Sequence, residues 1–152
     1  MTQPPVRDEA LAVRRLKLWI RMLGVTRAVE NRLRDALRVD HDTTLPRFDV
    51  MAALWRNRDG LTMTELSRLL LVSNGNATAV VDRLVADGLV RRSPCGDDRR
   101  RVRVALTADG VEQFERIAAD HRALIDRLFA GLGDSELDVL KTLLQRVRED
   151  VQ

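Results

Sequence analysis

Between Gly88 and Thr107 the apolar residues of this chain change period, and that one break limits the folds open to it. Elsewhere they recur in steps of three and four. Here Val102, Val104 and Leu106 alternate with Arg101, Arg103 and Ala105. The first spacing marks one face of a helix and the second one face of a strand. Val90 opens a short strand ending near Ser93-Pro94, and Cys95-Gly96-Asp97-Asp98 is turn chemistry. The break therefore reads as one hairpin with a tip of about seven residues.

Six helical segments surround it. The first runs from Asp8 to about Val39, with Leu16, Ile20, Leu23, Val29, Leu33 and Leu37 in its stripe and no internal Pro. That length predicts a stripe facing more than one surface. A second segment starts at Pro46, in a first turn where a missing N–H costs nothing, and ends near Asn57 before Asp59-Gly60. Thr62-Met63-Thr64-Glu65 is a capping box for a third, short helix to about Leu70. Leu71-Val72 is a tight connection, and Ser73 caps a fourth helix that stops at Gly88. Thr107 caps a fifth, and Asp134 and Glu136 suit the dipole at the start of a sixth. The chain thus divides into a disordered lead (1–7), an N-terminal helix and loop (8–44), a compact lobe (45–106) and two C-terminal helices (107–152). The terminal helices carry apolar stripes but little core of their own, so they must pack together or on a second copy. The expected class is mainly α with one small β-hairpin.

Composition removes several functions. With 45% apolar and 32% charged residues the chain is not of a disordered type. Its longest apolar run, Val50 to Trp55, is far below the ~20 residues of a membrane span, and its polar start predicts no signal peptide. One cysteine, Cys95, allows no internal disulfide and fits a reducing cytoplasm. Two distant His, no metal-ligand spacing and no phosphate loop leave nothing for an enzyme, a cofactor or a metal.

The chemistry is in the arginines. All but Lys17 and Lys141 of the 26 cations are Arg, a bias that suits phosphate and base edges but also a GC-rich genome. Placement decides more than the net charge of +3. Between Leu89 and Thr107 stand Arg91, Arg92, Arg99, Arg100, Arg101 and Arg103 against Asp97 and Asp98. Cations packed this densely on a hairpin too short for a core repel one another, and an anionic partner relieves the repulsion. The fourth helix begins Ser73-Asn74-Gly75-Asn76-Ala77-Thr78, small polar groups around free N–H donors. Gly75 sacrifices helix propensity, as a close approach of backbone to DNA requires. A short helix, a tight turn, a helix and a hairpin form the winged helix-turn-helix order, whose second helix fits the major groove.

These residues resemble the MarR family. The wing, Asp98-Arg99-Arg100 followed after a short strand by Leu106-Thr107, is similar to the family's Asp-x-Arg and Leu-Thr signature. Leu61 to Ser67, Val72 to Thr78 and Val81 to Val90 resemble its third and fourth helices. The likeness runs over about residues 10–150. It implies a winged lobe plus dimerisation helices from both termini, and a homodimer straddling palindromic double-stranded DNA as a transcription regulator. The commoner family behaviour is repression, relieved by a small aromatic or acidic ligand. Carried over, Ser73, Asn74, Gly75, Asn76 and Thr78 fall on the recognition helix, with Arg83 one turn on toward phosphate. Arg100 falls on the wing residue that enters the minor groove, held by Asp98 and flanked by Arg99 and Arg101. Gly75-Asn76 replaces the family's common Ser-Thr, which leaves base preference open. A helical dimer whose basic hairpin binds an acidic protein is the alternative.

The resemblance also implies an effector pocket. Trp19, Arg47 and His121 are its candidates, against core packing, a helix-end charge and an interface histidine. Thr44 to Asp49 with Val72 to Asn76 resembles relatives linked to aromatic acids and their CoA thioesters. Cys95 lies in the wing, away from the family's peroxide-sensing position, and reads as an incidental exposed thiol.

Overall fold

The computed structural model describes residues 6–96 and 98–151, with side chains described for 10–96 and 101–151. Nine elements follow in order: α1 (Val6–His41), α2 (Leu45–Arg56), β1 (Leu61–Thr62), α3 (Met63–Leu70), α4 (Asn74–Ala86), β2 (Val90–Cys95), β3 (Asp98–Leu106), α5 (Ala108–Phe129) and α6 (Asp134–Asp150). The chain divides into one unit through Ile117 and a second from Ala118. The class is as expected, helices with one small sheet. Val6 and Arg7 are already helical, so α1 reaches into the 1–7 lead, and residues 1–5 lie outside the described ones.

In the first unit α2 is the centre. Phe48, Val50, Met51, Ala52, Ala53 and Leu54 are all buried, more than one helix face can account for. The end of α1 with α3, α4 and β3 cover it. Leu66, Val81, Leu84 and Val104 are fully buried around it. The Phe48 and Phe114 rings lie 5.5 Å apart, and Trp55 lies 5.7 Å from Phe114. Trp55 Nε1 donates to Glu115 Oε1 at 3.1 Å, which satisfies its one polar atom.

The helix starts are those the local sequence encodes. Thr44 Oγ1 accepts from Arg47 N at 3.4 Å, and Ser73 Oγ accepts from Asn76 N at 3.2 Å. Thr62 and Glu65 close their capping box, with Thr62 N donating to Glu65 Oε2 at 2.8 Å. Those bonds hold the Glu65 carboxyl below its ordinary range. Thr107 Oγ1 accepts from Gly110 N at 3.0 Å. The α3–α4 connection places Leu71, a non-glycine, in the left-handed region at φ 55°.

Two expectations are corrected. The hairpin closes further than an open seven-residue tip: the regular ladder ends at Pro94↔Val102, and beyond a register irregularity Cys95 pairs with Asp98, leaving positions 96 and 97 between the strands. Ladder bonds join backbone groups, so polar residues extend the strands beyond the apolar alternation. The sheet also has three strands, ordered β1-β3-β2, because Leu61 and Thr62 pair with Val104 and Arg103. Val104 is therefore central and fully buried, whereas Val102 is 37% exposed. Pro94 sits on the edge strand β2, where a missing ladder donor is tolerated.

In the second unit α6 has no buried residue. Leu137, Leu140, Leu143, Leu144 and Val147 are exposed along it. Among the described side chains of α1 only Leu33 and Leu37 are buried, and Leu16, Trp19 and Ile20 stand exposed at 55–58%.

Gly110 tests how tightly α5 joins the wing root. A Cβ there would stand 2.0 Å from the Leu89 carbonyl oxygen. Gly110→Ala should lower stability by about 1–3 kcal/mol, as overpacking does, read as a lower urea midpoint. An unchanged midpoint would refute this packing.

Candidate nucleic-acid interface

Within the first unit α4 packs on β2 of the wing. Ser73, Asn74, Gly75 and Asn76 are exposed and Thr78 is half-buried. Their side chains have different duties. The Ser73 hydroxyl caps the helix. Asn74 Oδ1 accepts from the Ser67 hydroxyl, which ties α4 to α3. The Thr78 hydroxyl donates to Asn74 O at 2.7 Å. Asn76 makes no side-chain hydrogen bond among the described residues, so its amide keeps a donor and an acceptor for a ligand. The first N–H groups of α4, those of Asn74 and Gly75, have no helical partner. Around the missing Gly75 side chain nothing lies within 4 Å, so nothing inside the protein requires a glycine there.

The hairpin arginines separate in the same way. Arg91 and Arg101 are exposed. Arg92 pairs with Asp82 of α4. Arg103 donates from Nη1 to Gly60 O at 2.8 Å and from Nε to Cys95 Sγ at 3.4 Å, fastening the wing to the turn before β1. Backbone 98–100 is strand, but the side chains of Asp98, Arg99 and Arg100 lie outside the described ones. Cys95 is half-buried and bonded by Arg103, rather than the exposed thiol expected.

With this geometry in place, the chain can be set beside known proteins. A model of the MarR family matches residues 41–101. An HTH-type transcriptional regulator, YkoM, of Bacillus subtilis is 35% identical over 117 residues, 77% of this chain and 74% of the relative. The multiple antibiotic resistance protein MarR of Escherichia coli is 31% identical over 132 residues, 84% of this chain and 88% of that one. A crystal structure of a mutant MarR from E. coli, complexed with operator DNA, superposes with a TM-score of 0.75 at 28% identity, covering 94% of this chain and 98% of that one.

This chain belongs to the MarR family. It has the winged helix-turn-helix fold, and YkoM among its relatives is named as an HTH-type transcriptional regulator. In this MarR-family chain α3 and α4 are the helix-turn-helix, and β2 with β3 is the wing.

The effector-pocket candidates are not assembled as expected. Arg47 Nη2 pairs with Asp87 Oδ2 at 2.6 Å, bridging the start of α2 to the C-cap of α4, so this cation is already neutralised. Trp19 is 55% exposed on α1. Neither lines the cavity of about 360 Å³ found between α2, the end of α3 and α4. Asp49, Val50, Leu70, Ala77, Val80 and Arg83 are among the residues that do. Sequence reading missed Asp49 and Leu70 there, because a wall shared by three helices has no periodic signature. It also missed the Asp82 and Asp87 pairings, which join residues 10 and 40 positions apart. Among the described residues no group of His, Cys, Asp or Glu could hold a metal ion, and no helix is long and apolar enough to cross a membrane.

His121, half-buried in the second unit, has its pKa pushed below the ordinary 6.5 because burial disfavours the imidazolium. A depressed pKa means the fold favours the neutral ring. Stability is then full above pH 6.5 and falls as acidification protonates it. Urea midpoints of His121→Gln should fall less than those of the parent between pH 6.5 and the acid side. Parallel pH curves would show that His121 does not contribute.

Proposed function

We propose that this chain is a repressor that binds double-stranded DNA at a palindromic operator as a homodimer, and that a small aromatic or acidic ligand releases it. The observation carrying this reading is the tip of α4. Asn76 is uncommitted there, beside the unpartnered N–H groups of Asn74 and Gly75, while the neighbouring polar side chains are bonded to the lobe. Such a tip suits phosphate and the adenine edge. The exposed Arg91 and Arg101 add cations on the wing. In this reading Arg83 reaches phosphate, and Arg100, positioned by Asp98 and flanked by Arg99, enters the minor groove. The crystallised complex of E. coli MarR with operator DNA supports the same mode.

The exposed apolar residues of α1 and of α6 support the dimer, since contiguous patches of this kind mark partner surfaces. Segments 8–44 and 107–152 would then form the interface and 45–106 the DNA-binding lobe. For the effector, the α2–α4 cavity of about 360 Å³ falls within the usual size of small-molecule sites and includes one cationic residue, Arg83. An aromatic acid or its acyl-CoA thioester is the ligand class the resemblance suggests. A cytoplasmic place belongs to the proposal, since it is where a bacterial operator would be met.

Fluorescence anisotropy on a duplex selected by the protein from a random library tests the reading. Affinity should fall steeply with salt, and the selected sites should hold two half-sites about one helical turn apart. Arg100→Ala should weaken binding broadly, and Asn76→Ala should alter preference by roughly 1–3 kcal/mol at one base pair. Gly75→Ala should stabilise the fold by up to about 1 kcal/mol yet weaken DNA binding. Monomers at micromolar concentration, or no salt-sensitive attachment to any duplex, would refute the proposal. Capture of acidic peptides alone would favour a protein partner instead.

A further inference from the structure

The wing and α4 are joined by a short turn, Asp87-Gly88-Leu89. Gly88 adopts φ +73°, and nothing lies within 4 Å of where its Cβ would stand. Backbone bonds close this turn, from Gly88 N to Val85 O at 3.0 Å and from Leu89 N to Leu84 O at 2.9 Å. The Thr107 hydroxyl braces it further, donating to Gly88 O at 2.7 Å. All three hold the root. Further out, the side-chain bond from β2 to α4 that the structure shows is that of Arg92 to Asp82. On β2, Arg92 stands opposite Val104, the fully buried residue of the central strand. The pair thus links a helix anchored in the core to a strand paired with a core strand.

From this geometry we propose that Asp82 is a positioning residue for DNA recognition. Through Arg92 it sets the angle between α4 and the wing, so that both meet one duplex at once. The proposal rests on the reading that these two elements bind DNA, and it goes beyond that reading by assigning Arg92 to the protein rather than to phosphate. Both partners are partly exposed, with side-chain accessibilities of 38% and 56%. Pairs so exposed contribute little to stability. Their effect belongs in recognition, where a small rotation of the wing separates two contacts that must form together.

The two partners carry opposite charges, and this makes the test sharp. Arg92→Gln removes a cation and Asp82→Asn removes an anion. A purely electrostatic role would move DNA affinity in opposite directions, whereas a brace moves discrimination in the same direction. Anisotropy titrations with the full chain would compare the self-selected duplex with a random duplex of equal length over a range of salt. Thermal melts would confirm that each variant is folded. Each single variant should lose about tenfold in discrimination, about 1.4 kcal/mol. The double variant should be no worse than either, and the exchange Asp82→Arg with Arg92→Asp should recover most of the loss. On the random duplex the salt slope of Arg92→Gln should match the parent.

A slope reduced by about one in Arg92→Gln, with Asp82→Asn binding as well as the parent or better, makes Arg92 a phosphate contact and overturns the brace. Parental discrimination in both single variants overturns it as well. In each case the DNA-binding reading stands. If the parent binds no duplex at all, that reading fails and the brace fails with it.

Discussion

A helix with almost no exposed apolar side, α2, organises the first unit. Val50 and Met51 are 1% exposed and Leu54 is fully buried. Burying a side chain of this kind is worth about 1.5–3 kcal/mol. A helix of 12 residues can hide all these only if neighbours stand on several sides of it. The end of α1, α3, α4 and β3 do so, and Phe114 of α5 stacks on Phe48. The consequence for function is indirect but strict. The helix that offers Asn76 and the strand that carries Arg101 are both placed by the same core. Their separation is set by packing against α2 rather than by the loops between them.

Over this apolar frame lies a sparse set of polar ties, mostly made by arginine. Arg47 reaches the end of α4, Arg92 its middle, and Arg103 the turn before β1. A guanidinium suits this work because its planar fork can satisfy two acceptors from one position. Arg103 does that with Gly60 O and Cys95 Sγ. Charge density on the wing therefore overstated the cations available to a partner. Two of the six hairpin arginines hold the wing in place, and Arg91 and Arg101 are left exposed. The same distinction runs through the tip of α4, where Ser73, Asn74 and Thr78 are bonded within the lobe.

The features legible beforehand share one property: their partners are neighbours in the chain. The Thr62–Glu65 box, the Ser73 and Thr107 caps and the stop at Gly88 all involve residues within a turn of each other. The winged order followed, since it needs only the sequence of elements. Misjudgements appear wherever the partner is remote. β1 is too short for any periodicity, and it exists because β3 offers a free edge to Leu61 and Thr62. The strands of the wing outrun their apolar residues because the ladder depends on backbone groups. The partner of Arg47 is Asp87, 40 residues away, a pairing that no local pattern announces.

Local chemistry in the chain alone determined where helices start and stop and that a basic hairpin follows a small-residue helix tip. These follow from hydrogen bonds and periodicities spanning a few residues. Folding in three dimensions decided which of the arginines are ties and which face outward, that Asn76 rather than Asn74 keeps its amide free, and where a cavity opens. Those outcomes depend on which side chains meet across the core, and distance along the chain carries almost no information about that.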